Sequence, residues 1–81
     1  MQVREGVHTT IPGRSDITVE VNCNPGEKAM SGGYIASSNS ISSFKNAPLT
    51  EGSLTPTGWS VSASNSSGNV GNIKAYAVCA A

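Results

Sequence analysis

Residues 59–79 constrain the fold more tightly than any other stretch. Trp59, Val61 and Ala63 alternate with Ser60, Ser62 and Ser64, the period of two that marks a strand with one face against a core and one face wet. Ile73, Ala75, Ala77 and Cys79 repeat the pattern against Lys74, Tyr76, Val78 and Ala80. The last strand is therefore apolar on both faces toward its end, and reads as a central strand or one that packs against another subunit. Asn65-Ser66-Ser67-Gly68-Asn69 lies between them as a turn sequence. The expectation is a β-hairpin that brings the only Trp and one of two Cys into a single small core.

The rest of the chain gives weaker versions of the same signal. From Gln2 to Ile11, Val3, Glu5, Val7, Thr9 and Ile11 alternate with polar residues, an edge-strand pattern with a charged interruption. Pro12-Gly13 signals a turn. Ile17, Val19, Val21 and Cys23 then fall on one face, with Thr18, Glu20 and Asn22 on the other, which aims Cys23 toward the core. Asn24-Pro25-Gly26-Glu27-Lys28 is a second turn. Short apolar pieces flank Ser31-Gly32-Gly33, and paired glycines inside a strand pattern mark a bulge or the close approach of another backbone or an aromatic ring. The polar run Ser37–Ser43 is either a poorly marked strand or a surface loop held by Ile41 and Phe44. Residues 49–57 read as a connection with at most a short strand around Ser53-Leu54-Thr55. No window lets a 3.6-residue apolar period build, so the chain is expected to be all-β.

Size decides what must reinforce such a fold. An 81-residue chain with only 15 Leu, Ile, Val and Phe residues has a marginal core and calls for a staple or a partner chain. Cys23 and Cys79 are the only cysteines. They are either two buried free thiols or a bridge closing nearly the whole domain, and a small, Ser-rich, Lys-poor chain favours the bridge and an oxidising compartment. Five basic and five acidic side chains are scattered without a stripe or run, which argues against nucleic acid and against a membrane-binding segment. The first residues lack the apolar run of a secretory leader.

Candidate chemistries fail on spacing. Two cysteines alone cannot hold zinc, and His8 lies in another stretch, so no metal or cofactor is expected. Thirteen serines include no Gly-x-Ser-x-Gly elbow, and only His8 could serve as a base. Asp16 and Glu20, four apart on a strand, sit about 13 Å from one another, too far for a glycosidase pair. Gly32-Gly33 lacks the Lys-Ser/Thr of a phosphate-binding loop. Trp59 and Tyr34 could form a platform for a sugar ring, although the phase of Trp59 with Val61 and Ala63 places it in the core. Asn65-Ser66-Ser67 matches a glycosylation sequon. The Ser/Asn stretches 37–43 and 65–72 suit weak carbohydrate contacts and inert soluble loops equally well.

The ordered set Cys23-Asn24-Pro25-Gly26, Gly32-Gly33-Tyr34, Gly58-Trp59 and Tyr76-Ala77-Val78-Cys79 resembles a small disulfide-bridged all-β domain. That domain is found in exported actinobacterial proteins and at the C-terminal ends of phage tail-fibre proteins. The resemblance runs from Ser15 to the end, with Cys-Asn-Pro-Gly in place of the usual Cys-Pro-Ala-Gly. It implies a small antiparallel β-sandwich, jelly-roll-like, over residues 15–81, stapled by Cys23–Cys79, with residues 1–14 as an edge strand or a linker to an upstream region. Gly32, Gly33, Trp59 and Tyr76 are its expected structural positions. It also implies a non-enzymatic module of the virion or cell surface, extracellular, active in host-surface recognition or in fibre trimerisation. Fibre tips are commonly homotrimers, and a host polysaccharide or lipopolysaccharide is the expected ligand. Tyr34, Ser38, Asn39, Ser40, Lys45 and Asn65 are the candidate contacts. The alternative is a structural or adhesive domain of an exported bacterial protein with no specific ligand.

Overall fold

The computed structural model describes residues 1–50 and 55–81. Seven strands form among these residues: β1 (Gln2–Glu5), β2 (Thr9–Ile11), β3 (Asp16–Asn22), β4 (Lys28–Ala36), β5 (Ile41–Leu49), β6 (Gly58–Asn65) and β7 (Gly71–Ala80). All pairings are antiparallel. One sheet places β7 between β4 on one side and the successive β1 and β2 on the other; the second runs β3-β6-β5. The pairing is nested, first with last and third with sixth.

The period-two signals become the core. Ile73, Ala75, Ala77 and Cys79 of β7 face Val19 and Val21 of β3 and Val61 and Ala63 of β6, with Ile11 and Ile41 closing one end. All of these are buried. Strand β7 is central, as its two apolar faces suggested. The pattern read over Gln2–Ile11 is two strands: the chain leaves the ladder at Val7 and His8, while the Gly6 amide still donates to the Ala75 carbonyl at 2.8 Å.

The expected hairpin of residues 59–65 with 73–81 does not form. Strands β6 and β7 belong to different sheets, and residues 66–70 arch from one layer to the other. A hairpin would set both apolar faces side by side, still needing a cover. The arch sets them face to face, so each strand's apolar side buries the other's. The connections after β2, β3 and β4 also change sheets, and only β1 to β2 and β5 to β6 stay within one.

Two further expectations need correction. Ser60 and Ser62, read as a wet face, are 1% and 6% exposed. Strand β6 is the middle strand of its sheet, and neighbours on β3 and β5 cover it from both sides. Thr18 Oγ1 and Ser62 Oγ share a 2.8 Å hydrogen bond, whereas Ser60 Oγ has no partner among the described residues. Phe44 anchors nothing: it sits at the register break between Ser43 and Lys45 and is exposed, while Ile41 is buried. Residues 37–40 are a turn and β5 begins at Ile41. The short strand considered at Ser53-Leu54-Thr55 lies outside the described residues except for Thr55, which is in a bend.

The glycine pair is a site of close approach. A Cβ on Gly32 would overlap the Trp59 ring, and one on Gly33 would come within 2.8 Å of the Tyr76 hydroxyl. Each aromatic thus lies on bare backbone, Trp59 between the layers and Tyr76 on the outer face of its sheet. The bulge of β4 falls one turn of the pleat earlier, between Ala29 and Ser31.

Candidate functional site

Because consecutive strands switch sheets, three arches meet at one end: residues 12–15, 37–40 and 66–70. Asn65, the last residue of β6, ties the first of them to the third. Its Nδ2 donates to the carbonyls of Ile11 (3.3 Å), Pro12 (3.3 Å) and Asn69 (2.9 Å), and its Oδ1 accepts from the Ser67 amide at 3.0 Å. Its own amide donates to the Ser15 carbonyl. The residue is 2% exposed. Asn65 is therefore the internal hub of the loop cluster and not a surface contact, and the sequon it heads is closed to glycosylation in the folded protein. An amide is suited to this place because it supplies donors and an acceptor on one short, uncharged side chain.

Backbone bonds join the arches to one another. The Arg14 amide donates to the Ser67 carbonyl (2.9 Å) and the Ser66 amide to the Ser40 carbonyl (2.9 Å), which also accepts from Ser66 Oγ. Ser37 and Asn72 bond in both directions, amide to carbonyl at 3.0 Å and amide to Ser37 Oγ at 2.9 Å. Arg14 takes a positive φ of 55°, an uncommon conformation for a residue with a side chain, held here by its bond to the neighbouring arch. Ser38, Asn39, Ser66 and Asn69 remain exposed on this framework, and Ser38 Oγ and Ser40 Oγ lie 2.8 Å apart. The result is a hydrogen-bonded cap of small hydroxyl and amide groups, with the exposed Arg14 beside Gly68 as its one charged side chain among the three arches.

The other expected contacts lie elsewhere. Tyr34 is half-buried against the core, on the inner face of β4 opposite Ala75. Lys45 is exposed on β5, opposite Ser62 and several residues along from the cap. Trp59 donates from Nε1 to Asn46 Oδ1 and packs on the core, so Tyr34 and Trp59 are both engaged in packing and leave no open aromatic platform. His8 is exposed in the break between β1 and β2.

The opposite end carries the staple. Cys23 and Cys79 are bonded, with their Cα atoms 5.9 Å apart. Beside them Glu27 receives Arg4 Nε at 3.2 Å and Nη2 at 2.7 Å on its two oxygens, and the Asn24 amide at 2.9 Å on Oε1. These bonds, the Arg4 pair first and the Asn24 amide next, hold the Glu27 carboxyl below the usual carboxylate range against a smaller opposing effect of burial. An open depression of about 230 Å³ is lined by Asn22, Cys23, the turn 24–27 and Thr57. The composition of that turn was legible as a turn; that it returns Glu27 to the sulfurs was not, because the approach depends on β4 pairing with β7. Comparison with family models, curated proteins and solved structures returns no match for this chain.

Proposed function

We propose that the protein is a non-enzymatic surface module, extracellular or on the virion, of the kind that ends a phage tail fibre. In this reading it is a small jelly-roll-like sandwich that assembles as a homotrimer and binds host-surface polysaccharide or lipopolysaccharide through the cap of residues 37–40 and 66–70. The observation that carries it is the meeting of two polar arches, 26 residues apart at Ser40 and Ser66, on one hydrogen-bonded end. Fixed small donors and acceptors suit a polyhydroxylated polymer, because little conformational freedom is lost when it docks. Each contact is weak, and several copies on one repeating surface multiply it. The nested strand order and the disulfide support the sandwich, and the sequence resemblance supports the fibre setting.

The test pairs assembly with binding. Light scattering should give three chains per particle, and a stable monomer at micromolar concentration argues against the fibre reading. Binding to whole cells or extracted polysaccharide should fall at least tenfold in a Ser38→Ala/Asn39→Ala variant whose thermal stability is unchanged. Retained binding in that variant removes the cap from the mechanism. A trimer with no affinity for any surface polymer favours the purely structural or adhesive role.

A further inference from the structure

We propose that when the Cys23–Cys79 bond is reduced, the two sulfurs and the Glu27 carboxylate form a binding site for a thiophilic divalent ion, zinc above all. The three donor groups come from three separated positions, the end of β3, the turn before β4 and the end of β7, and their ligand atoms lie within 4.8 Å of one another. A tetrahedral ion with Zn–S bonds of about 2.3 Å holds its two sulfurs about 3.8 Å apart. The Cα atoms are 5.9 Å apart, a separation compatible with that spread.

Three further features fit the ion. A carboxylate offers about four lone-pair sites, and Arg4 and the Asn24 amide take three of them, two on Oε1 and one on Oε2. One site on Oε2 is left for a metal while the existing bonds orient the group, as outer partners do in built metal sites. The charges balance: two thiolates and one carboxylate offset a divalent cation and the adjacent Arg4 guanidinium, leaving no net charge at this partly buried site. The depression beside Cys23, at about 230 Å³, has room for several waters at about 30 Å³ each, so the fourth ligand can come from solvent.

The chemistry is a two-electron exchange. The S–S bond breaks as a phosphine gives it two electrons and becomes the phosphine oxide, with water supplying the oxygen and the two protons, or as a dithiol gives it two electrons and two protons and becomes a disulfide; either way two thiols form. Zinc then displaces those protons as it binds the thiolates. A site of this kind would hold the ends of β3 and β7 together in the reduced chain.

The experiment uses the full chain, reduced with a phosphine, cleared of metal and titrated anaerobically with Co²⁺. The expected result is a thiolate-to-cobalt charge-transfer band together with the visible absorption of tetrahedral Co²⁺, both bleached by Zn²⁺ and both missing from the oxidised protein. Zn²⁺ should raise the melting temperature of the reduced protein and leave that of the oxidised protein unchanged. Glu27→Gln should weaken cobalt binding by roughly tenfold or more, as even outer partners of metal ligands do. If reduction unfolds the chain, Zn²⁺ should restore its far-ultraviolet strand signal. The proposal is overturned by absence of the charge-transfer band, by equal affinity in Glu27→Gln, or by ion binding to an unfolded chain that does not refold.

Discussion

Removing the covalent link between Cys23 and Cys79 should cost about 4 kcal/mol of stability, measured with a chelator present so that no metal substitutes for the bond. The closed loop has a sequence separation of 56, and the chain-entropy relation for a loop of that length gives about 14 cal/mol/K, or about 4 kcal/mol at 25 °C. A domain of this size has a total margin of roughly 4–12 kcal/mol at 0.05–0.15 kcal/mol per residue, so the loss is a third of it or all of it. Guanidinium unfolding of oxidised protein, phosphine-reduced protein and a Cys23→Ala/Cys79→Ala variant measures it. Reduced protein is the cleaner comparison, because Cys79 is fully buried and the Ala variant adds a small cavity. The denaturant slope should rise on reduction, since the open chain exposes more surface when it unfolds. A loss below about 1 kcal/mol with an unchanged slope would refute the reasoning: the denatured chain would then already hold these ends together.

Other perturbations test single parts of the fold. Gly32→Ala drives a methyl into the Trp59 ring and should destabilise by about 1–3 kcal/mol in urea unfolding, with a change in Trp59 fluorescence; a neutral result would mean that the ring moves freely. Asn65→Ala strands three carbonyls and one amide and should cost at least about 2 kcal/mol, with faster amide exchange at Ser67 and Asn69; protection unchanged at both would remove Asn65 as the hub. Ser60→Ala deletes a buried hydroxyl that has no partner among the described residues and should stabilise by up to about 1 kcal/mol, whereas a loss would reveal a bond to it. Glu5, bonded to Lys74, and Glu27, bonded to Arg4, both have lowered pKa values. Their contribution is thus complete above the unfolded carboxylate value of about 4.3 and is lost as pH falls through the lower folded values. Melting temperature should hold from neutral pH to about 5 and drop below about 4, and an Arg4→Gln variant that drops equally steeply would exclude the Arg4–Glu27 pair as a cause.

Much of this protein is determined locally and can be read from the chain. The alternation of Ile17, Val19 and Val21, of Trp59, Val61 and Ala63, and of Ile73, Ala75, Ala77 and Cys79 places side chains on faces, because the pleat has a period of two whatever the strand pairs with. Turns at Pro12-Gly13 and Asn24-Pro25-Gly26 follow equally from backbone preference, and Gly26 takes the positive φ of 86° that its place in the turn requires. The glycine pair announced a close approach, and two rings occupy it. Partner choice is a different matter. A connection of five residues after Asn65 closes a hairpin or an arch with similar ease, and only the need to cover two apolar faces at once selects the arch. The consequences that bear on function all descend from that selection. The 37–40 and 66–70 arches meet, Asn65 passes from surface candidate to buried hub, Ser60 and Ser62 lose their solvent, and Glu27 arrives beside two sulfurs. None of these is a property of a residue or its neighbours in the chain; each is set by which strand lies opposite, and that is decided by the layers packing together.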